Sequence, residues 1–249
     1  SWSIPNRAPV AAVPEDIPLH ILFEDDEVLV LNKPAGLVVH PAVGNPSGTL
    51  LHGLLFHDPV FQTLERGGIV HRLDKDTSGV MVVAKSETAI VALQRQFKAR
   101  ETEKAYLALV WNTPPKSGRI KTLLGRHPVH RKKQAVLKED GREAISNFET
   151  LEEFAETSLV QVKIETGRTH QIRVHMTHIG HPIVGDSVYG RSRKNKLPVK
   201  PTRQMLHAEK LSFSHPTTGK RLSFEAPLFD DMRLLLELLR IPSVGRSAK

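Results

Sequence analysis

Strand-like runs come in neighbouring pairs along most of this sequence, and that pairing limits the folds open to it. Residues 20–23 and 27–31 flank Glu24-Asp25-Asp26, residues 144–154 and 158–165 flank a short turn, and residues 205–213 and 221–224 flank His215-Pro216-Thr217-Thr218-Gly219. β-Type runs joined by turns this short pair antiparallel. Further short strands are expected at 37–40, 104–111 and 120–124. Helical signals are few. They cover 49–57 with Thr49 as N-cap, and a segment from the Ser86 cap to about Ala99 with Ile90, Leu93 and Phe97 on one face. Two more run from the Thr169 cap to a stop at Gly180, and over 229–239. Strands and helices do not alternate as in a doubly wound sheet. The expected fold class is therefore α+β with a mixed, largely antiparallel sheet.

The 249 residues suit one large domain or two small ones. Residues 1–16 carry Pro5, Pro9 and Pro14 with little apolar periodicity and read as an arm, 17–240 as the folded domain, and 241–249 as a tail. Cysteine is absent, which excludes disulfides, thiol nucleophiles and Cys-ligated zinc. No apolar run approaches a membrane span and no signal-peptide pattern opens the chain, so a cytoplasmic protein without a membrane partner is expected. Thirty-five basic against 27 acidic residues, a formal charge of +8, point to a polyanion such as nucleic acid.

The densest polar chemistry lies between Ile69-Val70 and the apolar run 80–83. His71, Arg72, Asp74, Lys75, Asp76, Thr77 and Ser78 crowd one loop between strand-like walls. Loops held by rigid strands are where sites are built. Asp74 and Asp76 in Asp-Lys-Asp-Thr invite comparison with the aspartyl phosphatases that use Asp-x-Asp-x-Thr and Mg²⁺, with Asp230-Asp231 as the further acids. His71 and Arg72 just before Asp74 argue against the uniformly apolar strand that reading requires. His170, His175, His178 and His181 invite a metal, but their spacing misses His-Glu-x-x-His and polar surface contacts are the better reading, so no metal is expected. Lys33-Pro34-Ala35-Gly36 reads as a tight turn presenting one lysine. Arg168 stands beside a helix start, where a guanidinium can fork onto a carboxylate or simply face solvent.

Taken in order, these pieces resemble the RluA-type pseudouridine synthases. His71-Arg72-Leu73-Asp74 with Thr77-Ser78-Gly79 is similar to that family's signature loop. Lys33-Pro34-Ala35-Gly36, Glu103-Lys104-Ala105-Tyr106, residues 167–175 and Gly185-Asp186 with Tyr189-Gly190 follow the family order, over nearly the whole of 17–228. Ile17-Pro18-Leu19 and Gly44-Asn45-Pro46 resemble the RluD branch, whose members carry an S4-like RNA-binding domain ahead of the catalytic one. The resemblance implies a catalytic domain over 17–240 with a central cleft, isomerising uridine to pseudouridine without cofactor or metal. It implies Asp74 as the essential carboxylate, Arg168 as its paired cation and Tyr106 as the ring lying against the uracil. Arg72 would fill the space left by a flipped-out nucleotide. The basic run of Arg126, Arg131, Lys132 and Lys133 would hold phosphates. The implied partner is RNA, ribosomal before transfer RNA, bound by a monomer. A non-catalytic RNA-binding module on the same scaffold is the competing reading.

Overall fold

The computed structural model describes residues 12–130, 133–190 and 197–241. Most of the expected arm and tail, together with Arg131 and Lys132, lie outside them. Among the described residues, ten strands form one sheet: β1 (Ile21–Glu24), β2 (Val28–Lys33), β3 (Ser78–Ala84), β4 (Glu103–Trp111), β5 (Ser117–Arg126), β6 (Gln134–Leu137), β7 (Arg142–Glu153), β8 (Thr157–Ile164), β9 (Leu206–Ser214) and β10 (Arg221–Glu225). The same residues include four α-helices: α1 (Leu50–His57), α2 (Glu87–Ala99), α3 (Gln171–His178) and α4 (Asp230–Arg240). The spatial order is β1-β2-β3-β9-β4-β8-β7-β5-β6, with β10 on β9. The mixed, mostly antiparallel α+β fold is as the hairpin pattern predicts.

The parallel pairing of β3 with β9 joins the two halves of the sheet. It is short, matching Ser78 to His207 and Gly79 to Ala208. Gly79 has φ +122°, and a Cβ there would stand 2.2 Å from the Ala208 carbonyl oxygen. Only glycine lets the two backbones approach this closely. On one side of the junction, Val28, Val30, Val82, Leu54 and Leu93 bury α1 and α2 against β2 and β3. On the other, Ile172 and Met176 of α3 pack on Ala108, Val110, Val160 and Val162. Met232, Leu235 and Leu236 of α4 cover Leu107, Leu109 and Trp111, which alternate with the α3-facing residues along β4 and so lie on its opposite face. Tyr106 packs against the first two clusters at once.

Several local expectations change. Residues 37–40 make a single bridge, Val38 to Thr49, because the chain turns away before a ladder can form. Gln134–Leu137 is a strand that the preceding basic run conceals. Helix α3 is capped by His170 in a left-handed conformation, not by Thr169. Ser86 does cap α2, its hydroxyl accepting the Ala89 N–H at 3.0 Å.

Candidate active site

The loop of residues 71–77 is fastened along its length. His71 Nε2 accepts the Val82 N–H at 3.1 Å, and the ring stacks on Phe97 at 4.6 Å. Burial pushes the pKa of His71 down to about 3, so the ring is a neutral acceptor rather than a charge. The Lys33 side chain is fully buried, contrary to a turn that merely presents a lysine. Its Nζ donates to the carbonyls of Pro34, Leu37 and Lys75 at 2.8, 2.9 and 3.0 Å. Gly36 N–H donates to the same Lys75 carbonyl. The lysine thus staples the turn at 34–37 to the middle of the loop.

Arg203 holds the far end of the loop. Its Nη1 reaches the Asp76 carbonyl at 3.2 Å, its Nη2 reaches Ser78 Oγ at 3.2 Å, and its fork takes Asp231 at 2.6 and 2.9 Å. Ser78 donates to His207 Nδ1 at 2.9 Å, and His207 Nε2 donates to the Ala226 carbonyl at 3.0 Å. Asp231, the acid a phosphatase reading would use, is therefore committed to Arg203.

Between these fastenings the Asp74 side chain remains about one-fifth exposed, in a pocket also lined by Arg72, Tyr106, Arg168, His170 and Arg173. Its Oδ2 accepts from Arg173 Nη1 at 2.9 Å. The expected partner, Arg168, lines the pocket but turns its Nε to the Glu143 carbonyl at 3.0 Å. The physical reason lies in α3. Arg173 stands within the helix, facing the loop, whereas Arg168 precedes the left-handed turn at His170 and is drawn toward β7. Asp186 orients Arg173 by a fork, Oδ2 to Nε at 2.7 Å and Oδ1 to Nη2 at 3.0 Å, leaving Nη1 for Asp74. The Asp186 side chain is wholly buried, and Oδ1 also accepts from Val188 and Tyr189 N–H. Burial alone would raise its pKa, but the Arg173 hydrogen bonds and charge outweigh this and hold it below the usual range. The Tyr189 ring lies 5.1 Å from the Arg173 guanidinium carbon.

The phenol of Tyr106 faces the same pocket from β4, where a register shift between Ala105 and Tyr106 breaks the pairing with β9. Burial, reinforced by the Asp74 charge, raises its pKa, so the hydroxyl keeps its proton at neutral pH. Arg72 is exposed at the rim. Arg126 is exposed at the end of β5, and Lys133 lies just before β6, at the loop end of that hairpin. Among the α3-region histidines, His175 is committed on both nitrogens, Nε2 to Thr122 and Nδ1 to Ser146, each at 2.9 Å. No group of metal-holding side chains occurs among the described residues.

Residues 27–178 match the profile of the RNA pseudouridylate synthase family. The chain is 48% identical over 244 residues to ribosomal large subunit pseudouridine synthase D of Neisseria meningitidis, covering 95% of this chain and 65% of that protein. It is 48% identical to the Xanthomonas campestris protein of the same name, covering 92% of this chain and 72% of the relative. The chain thus spans about two thirds of the length of these relatives. Human RNA pseudouridylate synthase domain containing 1 superposes with a TM-score of 0.68 at 28% identity, over 90% of this chain and 95% of that one. With the profile covering more than half of its length, and relatives close to half identical, this chain belongs to the RNA pseudouridylate synthase family.

Proposed function

We propose that this chain isomerises uridine to pseudouridine in structured RNA, and that large-subunit ribosomal RNA is its substrate, with transfer RNA the alternative. The observation that carries the reading is a partly exposed carboxylate, Asp74, gripped on one oxygen by Arg173 and sharing its pocket with the protonated phenol of Tyr106. The names of relatives 48% identical support the ribosomal substrate. No helix among the described residues is long and apolar enough to cross a membrane, and we read the chain as a cytoplasmic monomer.

The reaction breaks the N1–C1′ bond, joins C1′ to C5 of the same uracil, and moves one proton from C5 to N1, so the mass is unchanged. Asp74 acts on the uridine as nucleophile or base, and Arg173 keeps it aimed. The walls of the pocket hold the freed base out of water until it rebonds. Tyr106 lies against the uracil and, because it stays protonated, relays a proton rather than standing ready as a base. Arg168 lines the same pocket and contacts the nucleotide. Arg72 occupies the stack vacated by the flipped nucleotide, and Arg126, Lys133 and, outside the described residues, Arg131 and Lys132 hold phosphates.

Incubation with large-subunit ribosomal RNA tritiated at uridine C5 tests the reading. Tritium is expected in water, without cofactor or metal added. Tight binding of ribosomal and transfer RNA with no release from either would instead support a binding module. Arg72→Ala is expected to slow turnover about 10- to 100-fold more on a stem-loop than on a short flexible RNA, since only the former must be unstacked. Equal losses on both RNAs would remove Arg72 from the flipping role.

A further inference from the structure

His170 is held at φ +56°, a left-handed conformation rare for a residue with a bulky side chain. Such outliers persist where the surroundings enforce them. Its Nδ1 lies 2.8 Å from the Tyr189 hydroxyl, and that hydroxyl accepts the Gln134 backbone N–H at 2.8 Å. A phenol has one O–H to donate, and His170 Nδ1 is the acceptor in reach among the described residues. With the phenol as donor, Nδ1 accepts and the imidazole proton sits on Nε2. Nε2 in turn lies 3.8 Å from Asp74 Oδ2, the oxygen that Arg173 already holds. Oδ1 accepts no hydrogen bond from the described residues.

We infer that Tyr189 locks His170 in its Nε2–H tautomer, and that His170 is thereby a positioning residue, joining Arg173 on Oδ2 so that Oδ1 of Asp74 is turned toward the nucleotide. The inference rests on the function proposed above. The 3.8 Å separation is about 0.9 Å longer than a good N–H···O bond, a gap of the kind that tightens when substrate fills a site. Burial lowers the pKa of His170, which keeps the ring neutral, as the lock requires. The lock also reaches the RNA-holding surface. Gln134 opens β6 directly after Lys133, so one chain of hydrogen bonds runs from the basic hairpin through Tyr189 and His170 toward Asp74.

Nitrogen-15 NMR of the full-length protein, without RNA, reads the tautomer. His170 is expected to show an unprotonated Nδ1 and a protonated Nε2, and Tyr189→Phe to lose that preference. In single-turnover assays, Tyr189→Phe and His170→Asn are expected to lower the rate at saturating enzyme about 10- to 100-fold, with RNA affinity changed less than about threefold. His170→Gln, whose amide nitrogen falls near the place of Nε2, is expected to retain most of the rate. Asparagine suits the left-handed backbone better than glutamine, so this order cannot come from backbone strain. A proton on Nδ1, equal rates for the Gln and Asn variants, or full activity of Tyr189→Phe would each overturn the inference. A wild-type protein inactive on RNA, with the expected spectrum, would instead defeat the proposed function and the positioning role with it, leaving the lock.

Discussion

Arg173→Ala is expected to lower turnover about 10³-fold and to destabilise the fold by about 3–5 kcal/mol at neutral pH. The first effect comes from freeing Asp74 Oδ2 of its 2.9 Å partner. The second comes from Asp186, whose wholly buried carboxylate would lose both arms of its fork. The two effects separate by pH. In the wild type the Asp186 pKa is depressed, so its stabilisation is present above the unfolded value of about 3.9 and is lost as pH falls through the folded value. Without Arg173, burial would raise that pKa above the unfolded value. The folded variant would then bind the extra proton, and its stability would fall as pH rises. Urea melts of the variant should therefore show a smaller deficit at pH 5 than at pH 7. Arg168→Ala, which removes one hydrogen bond to the Glu143 carbonyl, should cost far less stability, about 1 kcal/mol. A stability ranking with Arg168 above Arg173 would contradict the assignment.

Gly79→Ala is expected to have a large effect at the junction of the two halves of the sheet, away from the pocket. The added methyl would meet the Ala208 carbonyl oxygen at 2.2 Å and its nitrogen at 2.4 Å, on a backbone with φ +122°. The neighbouring atoms belong to another strand's backbone and cannot swing aside like a flexible side chain. Parting them breaks the two-residue parallel contact that joins the halves of the sheet and anchors the end of the Asp74 loop. A loss of at least about 4 kcal/mol is expected, or a fall in Tm of about 10 °C or more for a chain of this size. A fall of less than about 3 °C would mean that the junction yields more easily than its geometry implies.

Much of this was legible in the sequence, for identifiable reasons. Hairpin strands declare themselves locally, so the antiparallel ladders of β1 with β2, β7 with β8 and β9 with β10 follow from short turns. The parallel contact of β3 with β9 joins residues about 130 positions apart, and no local pattern announces it. The loop around Asp74 stood out by its density of reactive groups. Its guanidinium partner did not, because Arg168 and Arg173 share one motif and the choice depends on where α3 begins. That start is set by the left-handed His170, which propensity alone would not place there. Lys33 is hard to place from sequence for a similar reason. A lysine before Pro-Ala-Gly looks like a surface residue until three carbonyls from two loops converge on it. Asp186 and Tyr189 lay in a recognised motif, yet their work on Arg173 and His170 shows only in three dimensions.

The most direct test is single-turnover conversion of uridine to pseudouridine by Asp74→Asn, measured beside RNA affinity and thermal stability. Asparagine keeps the shape of the side chain and an oxygen for Arg173, but not the charge. The rate is expected to fall at least about 10³-fold, with affinity within about threefold of wild type and the fold intact. Isomerisation at more than about one tenth of the wild-type rate would contradict a reaction run by this carboxylate.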